Sequence, residues 1–298
     1  MTALHFRRVG HTRGPAVADL AAVLAEGPPI AVDRDLKRSC LEHRLDLLVA
    51  RRQSSFDLVP AVVPHRVDIT RTAEVVGAVA GGPHSPAVAA LVARIAAGLG
   101  VRGVIATVAR TDDERPAAEA LLASLALDGV EQRLVEVEGV RHLTSELPRD
   151  ALLVVGAPGG SWLQRQLFGA GHRLLVAAPG GTVVVQSSPR RCFQEARDPA
   201  GAVVSPVMRA ADAAAVIKAG VLPVADRGIL VGVARRARLL AAADGFLVGD
   251  AMEPPVSVGP DHPVGAAVTA ATAAGGWPVP VVDESGLIVG VVDRPARG

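Results

Sequence analysis

The stretch EVVGAVAGGPHSPAVAALVARIAAGLGVRGVIATV (Glu74–Val108) decides the fold. Two short apolar runs, Glu74–Ala80 and Val101–Val108, flank a longer segment, Pro86–Leu99. Runs of about four to eight Val, Ile and Leu residues suit strands covered on both faces. In the middle segment Leu91, Ile95 and Leu99 recur every fourth residue, so they line one helical face. Ser85 suits the N-cap position and Pro86 the first helical position. Strand, helix and strand in succession make a βαβ unit and therefore a parallel sheet.

The same alternation continues outward. Further apolar runs occupy Gln132–Val137, Ala151–Gly156 and Thr182–Gln186; between them lie Glu114–Leu127, a short polar stretch at Arg141–Glu146, and Trp162–Ala178. Upstream, PAVADLAAVLAEG (Pro15–Gly27) parallels PAAEALLASLALDG (Pro116–Gly129), and LDLLVA (Leu45–Ala50) parallels DALLVVG (Asp150–Gly156). Residues 1–70 are read as a truncated second copy of the module, without its first strand and helix, the alternative being a coincidence among Ala- and Leu-rich helices. Leu4–Gly10 would be its second strand, and the half-module would borrow a neighbour's edge, or the true start would lie upstream. Downstream, residues 190–201 read as a polar, Arg-rich linker. Beyond it, LPVADRGILVG (Leu222–Gly232) and VPVVDESGLIVG (Val279–Gly290) are each a strand, a turn and a strand. A helical segment precedes each, Ala210–Ala219 and Pro263–Ala274. One such unit is too small to bury a core alone, so the two copies should pack together.

Composition excludes several functions. A chain of 298 residues suggests about two domains. The net charge of +1 gives no electrostatic case for a nucleic-acid or membrane partner. With 2 Trp, 5 Phe and no Tyr, there is too little aromatic surface for base stacking. Lysine occurs only at Lys37 and Lys218, neither in a GxxxxGK[ST] setting. The mean hydropathy of +0.35 comes from dispersed Ala and Val. No apolar stretch approaches the ~18 residues of a spanning helix, and the first residues do not read as a secretion signal. Cys40 and Cys192 stand apart, as reduced cytoplasmic thiols would, and no metal-ligand spacing is present. HExxH and GxSxG are absent, and no residue is assigned a catalytic role.

Gly156-x2-Gly159-x9-Gly169 follows the strand ALLVV directly. Glycines between a strand and a helix either let backbone N–H groups approach a phosphate or form a plain, tightly packed turn. The spacing resembles the G-x2-G-x9-G frame of the ATP-binding branch of the universal stress protein family, over about residues 72–189. This resemblance implies a three-layer, parallel-sheet α/β domain of the HUP/Rossmann-like kind. It implies ATP or another adenine nucleotide near Gly156, Gly159, Gly160 and Gly169, with Val108 facing the adenine. Two positions depart from the family: Ala170 replaces a Ser or Thr, and Ala80 replaces the Asp that helps hold adenosine. AGGPHS also resembles the SGGxDS loop of PP-loop ATP pyrophosphatases. There Ala80 and His84 replace the Ser and Asp, and no catalytic acid or lysine partner is apparent. His84 is otherwise a solvated loop residue or a phosphate neighbour.

Val248–Asp293 opens with Asp250-Ala-Met252 and continues through Pro280-Val-Val-Asp283 to Gly290-Val-Val. With the preceding repeat it resembles a pair of CBS domains, an α+β Bateman module. Such pairs commonly bind adenosine-containing nucleotides and regulate what they are attached to. The family's ribose-binding Asp is missing from both copies. Arg235, Arg236 and Arg238 either receive phosphates in its place or form a solvated basic helix start. The expected organisation is a truncated half at 1–70, a universal stress protein domain at 71–189, a linker at 190–201, and a CBS pair at 202–298, its copies at 202–240 and 248–298. The expected function is a non-enzymatic, adenine-nucleotide-responsive stress or regulatory protein, forming a homodimer and acting on an unidentified protein. The alternative is a ligand-free scaffold with degenerate sites.

Overall fold

In a computed structural model, residues 6–52, 57–136, 147–157, 178, 180–216, 220–242 and 245–294 are described. The chain divides into two compact units, Met1–Ser188 and Pro189–Gly298.

Among the described residues the first unit is mixed α/β, built on one sheet of nine strands. The strands are β1 (Val9–His11), β2 (Ile30–Ala31), β3 (Leu47–Val49), β4 (Ala61–His65), β5 (Glu74–Ala78), β6 (Arg102–Ala109), β7 (Val130–Glu136), β8 (Ala151–Gly156) and β9 (Thr182–Gln186). Their spatial order is β2-β1-β3-β4-β9-β8-β5-β6-β7. Every pairing is parallel except β4 with β9, where Val63 lies opposite Val184 in antiparallel register. The sheet is thus two parallel blocks joined along one antiparallel seam.

The helix expected after β5 is α3, spanning Ser85–Leu99; it follows α1 (Pro15–Leu24) and α2 (Leu36–His43) and precedes α4 (Arg115–Ser124). Leu91 and Ile95 of α3 are fully buried and Leu99 partly so. The helix packs on β5, β6 and β8. It can sit this close because a Cβ on Gly77 would stand 2.6 Å from Val92 Cγ2, and one on Gly103 would stand 3.0 Å from Ala96 Cβ. Gly100, with φ of 68°, ends the helix and donates its N–H to the Ala96 carbonyl. The start differs from expectation. Ser85 is the first helical residue rather than the cap, and His84 holds the cap position without a side-chain capping bond. The polar stretch Arg141–Glu146 and nearly all of Trp162–Ala178 lie outside the described residues, and with them the test of a third layer.

The N-terminal half corrects two expectations. Val9–His11 pairs with β2 on one side and β3 on the other, just as β5 lies between β6 and β8. It is therefore the counterpart of the first strand of the other block, so the central strand is present. Likewise α1 packs on β1, β3 and β4 and against α3, the placement of a first crossover helix. Its counterpart is α3, not the Pro116–Gly129 helix its sequence suggested. Nor does the half borrow an edge from another molecule, because β9 of the same chain supplies it.

The second unit holds two antiparallel hairpins, β10 (Val221–Asp226) with β11 (Ile229–Arg235), and β12 (Val279–Val282) with β13 (Ile288–Val292). Each first strand also takes a parallel bridge from an incoming segment, at Val204–Val224 and Val258–Val281. Residues 190–201, expected to be a linker, are instead part of this unit. They form α5 (Cys192–Glu195), and Cys192 and Ala196 are buried with Val258, Val279 and Val292. The remaining helices are α6 (Ala210–Val216), α7 (Arg236–Ala241), α8 (Val248–Ala251) and α9 (Val264–Ala274). The short helices α5 and α8 open alike. The N3 side chain accepts the cap N–H in both, Gln194 from Arg191 at 2.9 Å and Asp250 from Leu247 at 3.0 Å.

Candidate functional sites

In an open parallel sheet, ligands bind beyond the carboxyl ends of the strands. At the ends of β5 and β6 lies a cleft of about 360 Å³. Val79, Val108, Ala117, Ala118 and Leu121 make its apolar walls, and Ala80, Gly81, Thr107, Arg110 and Glu114 complete it. Thr107 Oγ1 donates to the Val79 carbonyl at 2.9 Å, tying the two strand ends together. Glu114 accepts from the Arg110 backbone N–H at 2.9 Å and from its guanidinium at 2.7 Å. These bonds, the backbone one first, hold the Glu114 carboxyl below the usual carboxylate range. Arg110 is thereby fixed at the rim, where a guanidinium can meet an anion.

The structure brings Ala80 and Val108 together in this cleft. Gly156 ends β8, and the space above it is taken by His84: a Cβ on Gly156 would meet His84 Cβ at 2.8 Å. The His84 ring is anchored rather than free, since Nδ1 accepts the Ser187 backbone N–H at 3.1 Å. Burial lowers its pKa from the ordinary imidazole value, which favours the neutral ring. The next amide, Ala157 N–H, already donates to the Val185 carbonyl at 2.6 Å. Gly159, Gly160, Gly169 and Ala170 lie outside the described residues.

Sequence reasoning missed a second cleft, of about 730 Å³, at the carboxyl ends of β1 and β2. Thr12, Arg13, Asp33, Arg34 and Asp35 line it. Its signal was the pair of short turns after VGH and IAV, overlooked because the half was taken to lack its first strand. Asp35 is committed to capping α2, accepting from Arg38 N–H at 3.0 Å.

In the second unit the two repeats exchange their opening segments. Arg197, after α5, makes reciprocal backbone bonds with Val291 of β13, and Glu253, after α8, does the same with Val233 of β11. Two residues beyond each partner stands a charge that meets the opening residue. Arg197 pairs with Asp293 through two nitrogens, Nη2 to Oδ1 at 3.1 Å and Nε to Oδ2. Glu253 Oε2 lies 3.0 Å from Arg235 Nη2, and its Oε1 lies 3.4 Å from Arg238 Nε. The two ends are equivalent in backbone and opposite in polarity. Among the described residues there is no group of three His, Cys, Asp or Glu able to hold a metal ion, and no helix long and apolar enough to cross a membrane.

Comparison with known proteins addresses the second unit. Residues 248–294 match the CBS domain family. The CBS-pair protein CBSX2 from Arabidopsis thaliana is 24% identical, with a TM-score of 0.33, covering 36% of this chain and 90% of its own. A structure of CBSX2 in complex with AMP is 28% identical, with a TM-score of 0.31 and coverages of 35% and 90%. A CBS domain-containing protein from Thermotoga maritima is 25% identical, with a TM-score of 0.29 and coverages of 34% and 84%. No curated protein matches the chain.

Proposed function

We propose that this chain is a non-enzymatic, adenine-nucleotide-responsive regulatory protein of the cytoplasm. In this reading a universal stress protein-like unit binds ATP or a related nucleotide, and a CBS pair follows it. The observation that carries the reading is the cleft at the ends of β5 and β6. Its volume of about 360 Å³ falls in the range of small-molecule sites, and its apolar walls with few polar groups suit a flat base. The CBS match at residues 248–294 supports a regulatory role for the second unit. A nucleotide that prefers one arrangement of the molecule shifts its population, and a partner protein reads the shift. The proposal extends to a homodimer, which sedimentation can measure.

Isothermal calorimetry with ATP, ADP and AMP tests it. Heat from at least one nucleotide is expected. It should be reduced at least tenfold in affinity by Val108→Trp, which fills the cleft, and by Gly159→Val. Absence of heat with all three nucleotides would refute the reading. A ligand-free scaffold is the second reading, favoured by Ala80, which offers no acid to a ribose, and by the His84 ring seated above Gly156.

A further inference from the structure

We infer that Arg235 and Arg238 form a phosphate-accepting site, that Glu253 is its built-in competitor, and that the equivalent end of the repeat pair is closed. This goes beyond the cleft of the first unit to the second, and the choice of AMP as a probe rests on the reading of the chain as nucleotide-responsive.

The argument starts from the exchange of opening segments. The bridges Glu253–Val233 and Arg197–Val291 set equivalent frames, and Arg235 and Asp293 each stand two residues beyond the bridge. A residue two further along a strand emerges on the same face, within reach of a long side chain across the pair. One backbone arrangement therefore presents two ends that differ only in their side chains. At one end a single guanidinium meets a single carboxylate in a two-point pair, and the local charge sums to zero. At the other, two guanidiniums converge on the two oxygens of one carboxylate, leaving an excess of one positive charge.

Three features mark the second end as an acceptor. First, Arg235 Nε is buried with no hydrogen-bond partner, so the guanidinium fork is incompletely used. An unmet buried donor is costly, and a tetrahedral anion with more acceptor oxygens than a carboxylate can meet it. Second, the guanidinium is held in place. A Cβ on Gly275 would lie 3.0 Å from Arg235 Cζ, so the chain end of α9 packs against that plane. Third, Glu253 is only 21% exposed, while Arg235 and Arg238 are 41% and 61% exposed. Solvent thus reaches the cations more readily than the carboxylate. A phosphate dianion entering here would neutralise both guanidiniums, and Glu253 would be displaced towards water. The seam that Glu253 makes with Arg235 would open as the ligand binds, giving the second unit two charge-dependent arrangements.

The test is calorimetric titration of the full chain with AMP and, separately, inorganic pyrophosphate. Glu253→Gln removes the competitor's charge with little change of shape. It should tighten binding about tenfold, the fold-change set by one charge-assisted bond. Arg235→Gln with Arg238→Gln should abolish this binding. Arg238→Gln alone, at an exposed side chain, should weaken it and covers the case in which the double variant fails to fold. Asp293→Asn, the matched change at the closed end, should leave affinity and stoichiometry as they were. Equal or weaker binding by Glu253→Gln would overturn the inference, as would unchanged binding by Arg238→Gln, or no heat from wild type and Glu253→Gln with either probe. If AMP binding is lost in Val108→Trp but indifferent to Glu253→Gln, the inference falls and the nucleotide reading stands. If pyrophosphate binds Glu253→Gln more tightly while ATP, ADP and AMP all fail to bind, the nucleotide reading falls and the phosphate site stands.

Discussion

Replacing Gly77 with alanine tests how the first unit positions its cleft. Gly77 is the next-to-last residue of β5, and α3 packs against it. The added Cβ would lie 2.6 Å from Val92 Cγ2 and 3.0 Å from Val88 Cγ1, closer than carbon atoms pack. Val92 is fully buried and Val88 nearly so, so neither side chain can swing into solvent. Overpacking of this kind costs about 1–3 kcal/mol. For a unit of this size each kcal/mol shifts the melting temperature by about 2–4 °C, so a fall of about 2–12 °C follows. The mechanism makes a sharper claim. Val92→Ala alone loses two buried methyl groups and costs about 2 kcal/mol. In the double variant the new Cβ occupies part of the space Val92 vacates, so the combined cost should fall short of the sum by about 1 kcal/mol. The assay is hydrogen exchange of the α3 amides in urea, read peptide by peptide, which isolates the first unit from the second. Gly27→Ala, with nothing within 4 Å of its Cβ, serves as the neutral control. Additivity of Gly77→Ala and Val92→Ala within about 0.5 kcal/mol would refute the account of how α3 is seated.

Other outcomes follow from the same geometry. Asp283 Oδ1 accepts from Ser285 Oγ at 2.7 Å, Ser285 N–H at 2.9 Å and Leu287 N–H at 3.0 Å. The Ser285 hydroxyl first, and then the backbone bonds, lower its pKa from the ordinary value. A lowered carboxylate stabilises the fold above its unfolded pKa and loses that contribution as pH falls through the folded pKa. Its carbon-13 titration midpoint should therefore lie below that of an unstructured Asp, and a midpoint at or above it would contradict the turn geometry. Burial pushes the Cys40 thiol up to about 12 and the Cys192 thiol up to about 11. Both should resist an aromatic disulfide reagent at pH 8 in the native protein and react only after denaturation; rapid native labelling would show that one is accessible.

Much of the α/β unit was legible because its strands announce themselves. EVVGA, GVIATVA, ALLVVG and TVVVQ are apolar but for Glu74, Thr107, Thr182 and Gln186, and near-continuous apolar runs are what strands covered on both faces require. The N-terminal half was misread where the signal weakens. Val9–His11 is three residues long and Ile30–Ala31 only two, too short for a periodic pattern. The Ala- and Leu-rich α1 matches any helix of that composition. Which one it corresponds to is fixed by its strand neighbours, a non-local fact. Residues 190–201 looked like a linker because Arg190, Arg191 and Arg197 dominate the segment. Cys192, Phe193 and Ala196, one helical turn of apolar residues, were the overlooked signal. Arg235 and Arg238 stood out, but their partner did not. Glu253 is close to them only because the repeats exchange openings, and no local pattern encodes that exchange. Ala80 and Val108 line one cleft because Ala80 lies just beyond β5 and Val108 near the carboxyl end of β6, its parallel neighbour.

The antiparallel seam between β4 and β9 fixes which way each block faces. Because the strands reverse direction across it, the clefts beyond β1 and β2 and beyond β5 and β6 open onto opposite rims of one sheet. Molecules approaching the two mouths arrive from opposite sides and never collide, and a bulky visitor on one rim leaves the other clear. Any conversation between them travels across the hydrogen-bonded ribbon, where Val63 and Val184 face each other at its midpoint, or through the packed pair α1 and α3 above it.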